Sequence, residues 1–95
     1  MKVIWTSKAV AGWQEVADYV FDTFGVEALL DFENRTYEAE TDIALMPNIG
    51  TIEWNDTVEN VVYRYVTIHR RSKMLYYVDN NVIYIAEFWD VRKNR

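Results

Sequence analysis

The stretch VVYRYVTIHRRSKMLYYVDNNVIYIAEFWD, residues 61–90, predicts consecutive strands joined by short turns, and the fold class follows from these strands. β-Branched and aromatic side chains dominate three stretches of it, which is typical of strands in a sheet. We predict these strands over residues 61–68, 74–78 and 82–89. Residues 69–71 form a polar turn and residues 79–81 a tight one, since Asp and Asn tolerate positive φ angles. Three strands connected in this way form a β-meander.

Two amphipathic helices are predicted before the meander. Mostly apolar residues recur there at steps of three and four, so each set lies along one side of a helix. The first set is Val10, Trp13, Ala17, Val20 and Phe24, and the second is Leu29, Phe32, Thr36, Ala39, Ile43 and Met46. Thr6 or Ser7 caps the first helix and Gly25 ends it, while Pro47 ends the second. The short connection after Gly25 indicates an antiparallel helical hairpin.

The remaining segments complete an α+β fold. Residues 2–5 are rich in large and β-branched side chains, so we predict a first strand there. Residues 51–60 surround one tryptophan with polar side chains, and we predict a loop. The order is therefore β-α-α-β-β-β, with the helical hairpin packed on a mainly antiparallel sheet that the first strand can join. A chain of this length predicts a single domain over residues 1–95.

Charge is segregated along the chain, whose formal net charge is −5. Residues 1–63 hold three basic and 12 acidic residues, a net −9, whereas residues 64–95 hold seven basic and three acidic residues, a net +4. An acidic chain is not an evident nucleic-acid binder, although its basic end could form a local patch. The lack of cysteine excludes disulfides and thiol chemistry. No apolar run suits a signal peptide or a membrane span, so we expect a cytoplasmic protein.

Seven short pieces of the sequence carry a family resemblance by their order and spacing. They are residues 4–6, 18–20, 24–25, 46–50, 63–64, 73–77 and 88–94. In this set the chain resembles the RelE/ParE superfamily of toxins from type II toxin–antitoxin systems, over nearly its whole length. The resemblance implies a cytoplasmic bacterial protein that inhibits growth and is neutralised by a cognate antitoxin protein. Residues 88–92 are most similar to the plasmid-stabilisation, ParE-like branch.

The resemblance also implies a cellular target. RelE-like toxins cleave mRNA on the ribosome, whereas ParE-like toxins poison DNA gyrase. We therefore predict a toxin that binds a gyrase-type target, with a ribosome-dependent mRNA endoribonuclease or an inactive family member as alternatives, since a fold alone does not decide between them. No cofactor, metal or membrane partner is expected.

Three basic residues form the candidate site. By resemblance to the RNA-cleaving toxins, Arg64, Lys73 and Arg92 would contact a phosphate or the target, because Arg and Lys stabilise charge that develops on phosphate. Two departures count against RNA cleavage: Val66 stands where those toxins have another basic residue, and the sequence to Arg95 lacks the segment with their catalytic tyrosine. The competing interpretation is that the three are surface charges paired with Asp79, Glu87 and Asp90.

His69 and the aromatic residues are further candidates. A neutral imidazole flanked by cations could act as a general base, but a plain surface residue is the stronger interpretation of His69. The aromatic residues of the strands could stack on unpaired bases, yet a core or interface role is favoured. These residues are Tyr63, Tyr65, Tyr76, Tyr77, Tyr84 and Trp89. Trp54 stands in a polar segment and is a candidate exposed anchor for a partner.

Overall fold

The computed structural model describes residues 1–69 and 71–90 and has two helices and five strands. The elements are β1 (Lys2–Trp5), α1 (Ser7–Phe24), α2 (Val26–Leu45), β2 (Thr51–Asp56), β3 (Val61–Ile68), β4 (Ser72–Asp79) and β5 (Val82–Asp90). The order β-α-α-β-β-β-β confirms the predicted α+β class, with one strand more than expected. Arg92, one of the three candidate site residues, lies outside the described residues.

The five strands form one sheet in the order β1-β5-β4-β3-β2. The pairs β2–β3, β3–β4 and β4–β5 are antiparallel, as their short turns require, whereas β1 runs parallel to β5. The predicted meander and the addition of the first strand to its sheet are both confirmed. The helical hairpin packs on one side of the sheet, called here the helix side; no element of residues 1–69 and 71–90 is in close packing with the other side, called the open side.

The predicted loop over residues 51–60 is wrong in its first half, where β2 forms the edge of the sheet. This strand pairs with β3 along one side only, and its register shifts between Ile52 and Trp54. An edge strand with a bulge needs no regular apolar alternation, so polar residues concealed it from the sequence pattern. Beyond β2 the chain does turn: the Asp56 carboxylate accepts the backbone N–H groups of Val58 and Glu59 at 3.1 and 3.0 Å.

The ends of the helices follow from single residues. Thr6 Oγ1 accepts the Ala9 N–H at 3.1 Å and lies within hydrogen-bonding distance of the Ile85 carbonyl, so the cap also ties α1 to β5. Gly25 adopts a φ of 94° between the helices, a conformation that favours glycine. The second helix ends at Leu45, two residues before Pro47. Neither helix is long and apolar enough to cross a membrane.

The core lies between the helical hairpin and the helix side of the sheet. Its buried members are Ala9, Val16, Ala17, Phe32, Ile43, Ile68, Met74, Tyr76, Ile83, Ile85 and Phe88. Two members of the predicted α1 stripe, Val10 and Phe24, are 52% and 59% exposed, so this part of the core prediction is wrong. The side of α1 that faces β5 instead carries Ala9 and Val16, because the small residue Gly12 between them allows the backbones to approach.

We predict that Gly12→Ala destabilises the fold. A Cβ atom at residue 12 would overlap the backbone carbonyl of Phe88, which cannot move without shifting β5. Overpacking of this kind costs about 1–3 kcal/mol, more than the roughly 1 kcal/mol of helix propensity that alanine adds. Urea unfolding should show a lower free energy of unfolding. Ala11→Ser, at the exposed neighbouring position, is the control and should change stability by about 0.5 kcal/mol at most.

Candidate functional site

The side chains of Arg64 and Lys73, two of the three predicted site residues, project from opposite sides of the sheet. Cross-strand partners share a side, and Arg64 pairs with Tyr76, which is fully buried in the core on the helix side. Lys73 pairs with Thr67 and lies between the buried residues Ser72 and Met74, so its side chain projects from the open side. The structure therefore does not bring Arg64 and Lys73 together.

Arg64 is bound to the segment that follows α2. Its Nη1 donates to the carbonyl oxygen of Gly50 at 2.9 Å and to that of Asn48 at 3.3 Å. The Tyr76 hydroxyl donates to the Pro47 carbonyl at 2.7 Å and accepts the Gly50 N–H at 2.9 Å. Burial raises the pKa of Tyr76 above its usual value of 10, although the Gly50 hydrogen bond and the Arg64 charge oppose this. Arg64 and Tyr76 thus fix the entry of the chain into β2.

We predict that Tyr76→Phe destabilises the protein by about 1–3 kcal/mol, because the buried N–H of Gly50 and the partly buried carbonyl of Pro47 each lose a hydrogen-bond partner. Chemical unfolding measures the loss. Tyr37→Phe is the matched control: Tyr37 is 68% exposed, so water can replace whatever its hydroxyl contacts, and a change below about 0.5 kcal/mol is expected. Equal effects of the two substitutions would contradict the role given to the Tyr76 hydroxyl.

Lys73 is held on the open side by β2 and β3. Its Nζ lies 3.7 Å from a Glu53 carboxylate oxygen and 3.9 Å from the centroid of the Tyr65 ring. The pair is only about one-quarter exposed, at 27% for Lys73 and 29% for Glu53. A half-buried ion pair combined with a cation–π contact fixes the ammonium group in place. Lys73 therefore links the edge strand to the rest of the sheet.

A row of aromatic rings crosses the open side from β2 to β5. This aromatic row consists of Trp54, Tyr63, Tyr77 and Tyr84, with successive ring centroids 4.4, 5.2 and 5.3 Å apart. Of the core or interface role predicted for these residues, the core is confirmed for Tyr76, whereas the three tyrosines of the row are half-buried outside the core and an interface role for them stays a prediction. Trp54 is 45% exposed and stacks on Tyr63, so its predicted exposure is confirmed, while its role as an anchor stays a prediction. The row gives the open side a partly exposed aromatic surface.

A cleft of about 480 Å³ lies between the helical hairpin and the β3–β4 turn. Its apolar wall includes Val16, Val20, Phe24 and Phe32 on the helices. Its polar wall consists of Asp31, His69, Arg71, Ser72 and Asp90. His69 is exposed on the turn with a φ of 60° and so occupies the edge of this cleft, where its role as a general base stays a prediction.

The tip of the helical hairpin beside the cleft is unusually apolar on its surface. Large side chains there are about half exposed: Phe21 at 49%, Phe24 at 59%, Val26 at 57% and Leu30 at 58%. Contiguous exposed apolar residues of this kind mark sites of protein–protein contact. This surface was not predicted from the sequence, because Phe24 was assigned to the buried stripe of α1. The sequence did contain a sign of it: the helices carry more large apolar residues than one stripe on each can bury.

The comparisons with known proteins support the fold. No protein-family model matches the chain, and no curated protein sequence is significantly similar to it. A solved chain of the chromosomal ParDE toxin–antitoxin (TA) system from P. aeruginosa is similar in structure, with a TM-score of 0.73 and 24% sequence identity. The match covers 96% of both chains. The chain therefore has a RelE/ParE-like fold, as the sequence resemblance implied.

Proposed function

We propose that this chain is the toxin of a bacterial type II toxin–antitoxin system, a single cytoplasmic domain that inhibits growth by binding a gyrase-type target. The observation that carries the proposal is the shared fold, which extends over 96% of this chain and of the ParDE chain. A cognate antitoxin would neutralise it. The resemblance of residues 88–92 to the ParE-like branch supports gyrase over the ribosome as the target.

The positions of the basic residues support binding rather than RNA cleavage. Arg64 is hydrogen-bonded to two backbone carbonyls, and Lys73 contacts Glu53 on the other side of the sheet. Val66 occupies the position at which RNA-cleaving toxins have another basic residue, and its side chain packs against the core. A phosphate clamp requires several cations directed at one point. Arg64 and Lys73 do not meet that requirement.

The cleft and the hairpin tip support an antitoxin-binding role. Their apolar residues could bury one face of an amphipathic segment, and His69, Arg71 and Asp31 at the cleft could meet its polar groups. Burial of exposed aromatic residues in such a cleft is the usual source of affinity at protein interfaces. We propose that an antitoxin segment occupies the cleft and contacts Phe24.

We predict that induced expression of the chain alone arrests growth of a bacterial host. Because the proposed target is gyrase, the cells should show a DNA-damage response with intact transcripts, and the purified chain should inhibit gyrase-catalysed supercoiling. Transcript lengths, a damage reporter and a supercoiling assay are the measurements. Normal growth would indicate an inactive protein, and transcripts cleaved on ribosomes would indicate the endoribonuclease; either result contradicts the proposal.

We further predict that Phe24→Asp prevents neutralisation by the cognate antitoxin, which we expect to be encoded by a short reading frame immediately upstream, because a carboxylate in the cleft removes apolar contact. Co-expression should rescue growth with the original chain but not with this variant. Leu45→Asp also replaces an apolar side chain with a carboxylate, at a residue 76% exposed on the far end of α2, and should leave rescue intact. Rescue of both variants would exclude Phe24 from the antitoxin contact.

A further inference from the structure

A second pocket, of about 300 Å³, lies where β1 meets the two helices. Three elements contribute to it: Trp5 comes from β1, Trp13 from α1, and Glu33, Tyr37 and Glu40 from α2. The three α2 residues are spaced four and three apart, so they share one side of the helix. The pocket thus combines three aromatic rings with two carboxylates.

The two indoles of the pocket are fixed in place. Trp5 stacks on Phe88 at 6.2 Å and donates its Nε1–H to Glu40 at 2.6 Å. Trp13 stacks on Phe32 at 5.5 Å and donates its Nε1–H to the hydroxyl of Thr36 at 3.0 Å. Stacking and hydrogen bonding together hold both rings without a ligand. A site whose walls are already ordered loses little entropy when a ligand binds.

Within the part of the chain that the structure describes, neither carboxylate of the pocket takes part in an ion pair. The ion pairs among residues 1–69 and 71–90 join Lys8 to Glu87, Arg35 to Asp31 and Lys73 to Glu53, and none includes Glu33 or Glu40. Helix α2 as a whole carries six acidic residues and one basic residue. The negative potential of these carboxylates beside the aromatic rings disfavours an anionic ligand. An apolar ligand is also disfavoured, because it would lie next to charged groups. The potential favours a cation.

We propose that this pocket binds an arginine side chain of a partner protein. A guanidinium group can stack on an indole or phenol ring while it donates paired hydrogen bonds to a carboxylate, which an ammonium group does less well. Val10 and Tyr37 are 52% and 68% exposed at the pocket, so a polypeptide backbone can lie across its opening. The acidic α2 surface attracts a basic segment toward it. The proposal does not depend on the toxin assignment.

The test uses the purified chain and a capped pentapeptide with one central arginine between glycines. NMR titration should give saturable shifts of the indole N–H signals of Trp5 and Trp13, whereas that of Trp54, in the aromatic row, should stay unchanged. The same peptide with citrulline has nearly the same shape without the charge and should bind roughly tenfold more weakly. A lysine peptide should also bind more weakly than the arginine peptide.

Charge-removing variants complete the test. Glu33→Gln and Glu40→Gln should each weaken binding of the arginine peptide by roughly tenfold, and glutamine at residue 40 can still accept the Trp5 hydrogen bond. Glu38→Gln is the matched control, since Glu38 is exposed on the same helix and does not line the pocket. Equal binding of citrulline or lysine, equal weakening by Glu38→Gln, or the absence of saturable shifts at Trp5 and Trp13 would overturn the proposal.

Discussion

The close approach of α1 to β5 is the contact on which the rest of the fold depends. Gly12 permits it by leaving space for the Phe88 carbonyl, and Thr6 anchors the start of the helix to the Ile85 carbonyl. With α1 set on β5, α2 packs beside it and closes the core over Phe32 and Ile43. The cleft and the pocket at Trp5 both lie against α1 and α2, so their shapes follow from this single placement.

The polar residues of the sheet serve the fold more directly than the chemistry first expected of them. Arg64 and Tyr76 satisfy backbone groups of residues 47–50, which lead from α2 into the edge strand. Lys73 joins that strand to the sheet through Glu53. Buried or half-buried polar groups require partners, and these residues find them within the chain. Arg64 and Lys73 therefore both help to hold the edge strand β2 and the segment before it in place.

Most of the fold could be predicted from periodicity and from residues with a strong local effect. Gly25 and the apolar spacing gave the helical hairpin, and the β-branched stretches gave the meander. Strand β2 could not be predicted, because an edge strand is stabilised by pairing on one side and needs no apolar pattern of its own. The side of the sheet from which a residue projects could not be predicted either. Arg64 and Lys73 lie on opposite sides because of the cross-strand register, which cannot be read from the sequence.

The parallel pairing of β1 with β5 has a consequence for how the protein is made. Thr6 and Ala86 come within hydrogen-bonding distance across 80 positions of sequence, so the first strand has no neighbour until the last one has been synthesised. During translation the side of α1 that packs on β5 therefore stays uncovered until that strand emerges. Folding of this nascent chain is an event that follows the emergence of β5, and until then a chaperone or another binding protein has access to surfaces that the finished molecule buries.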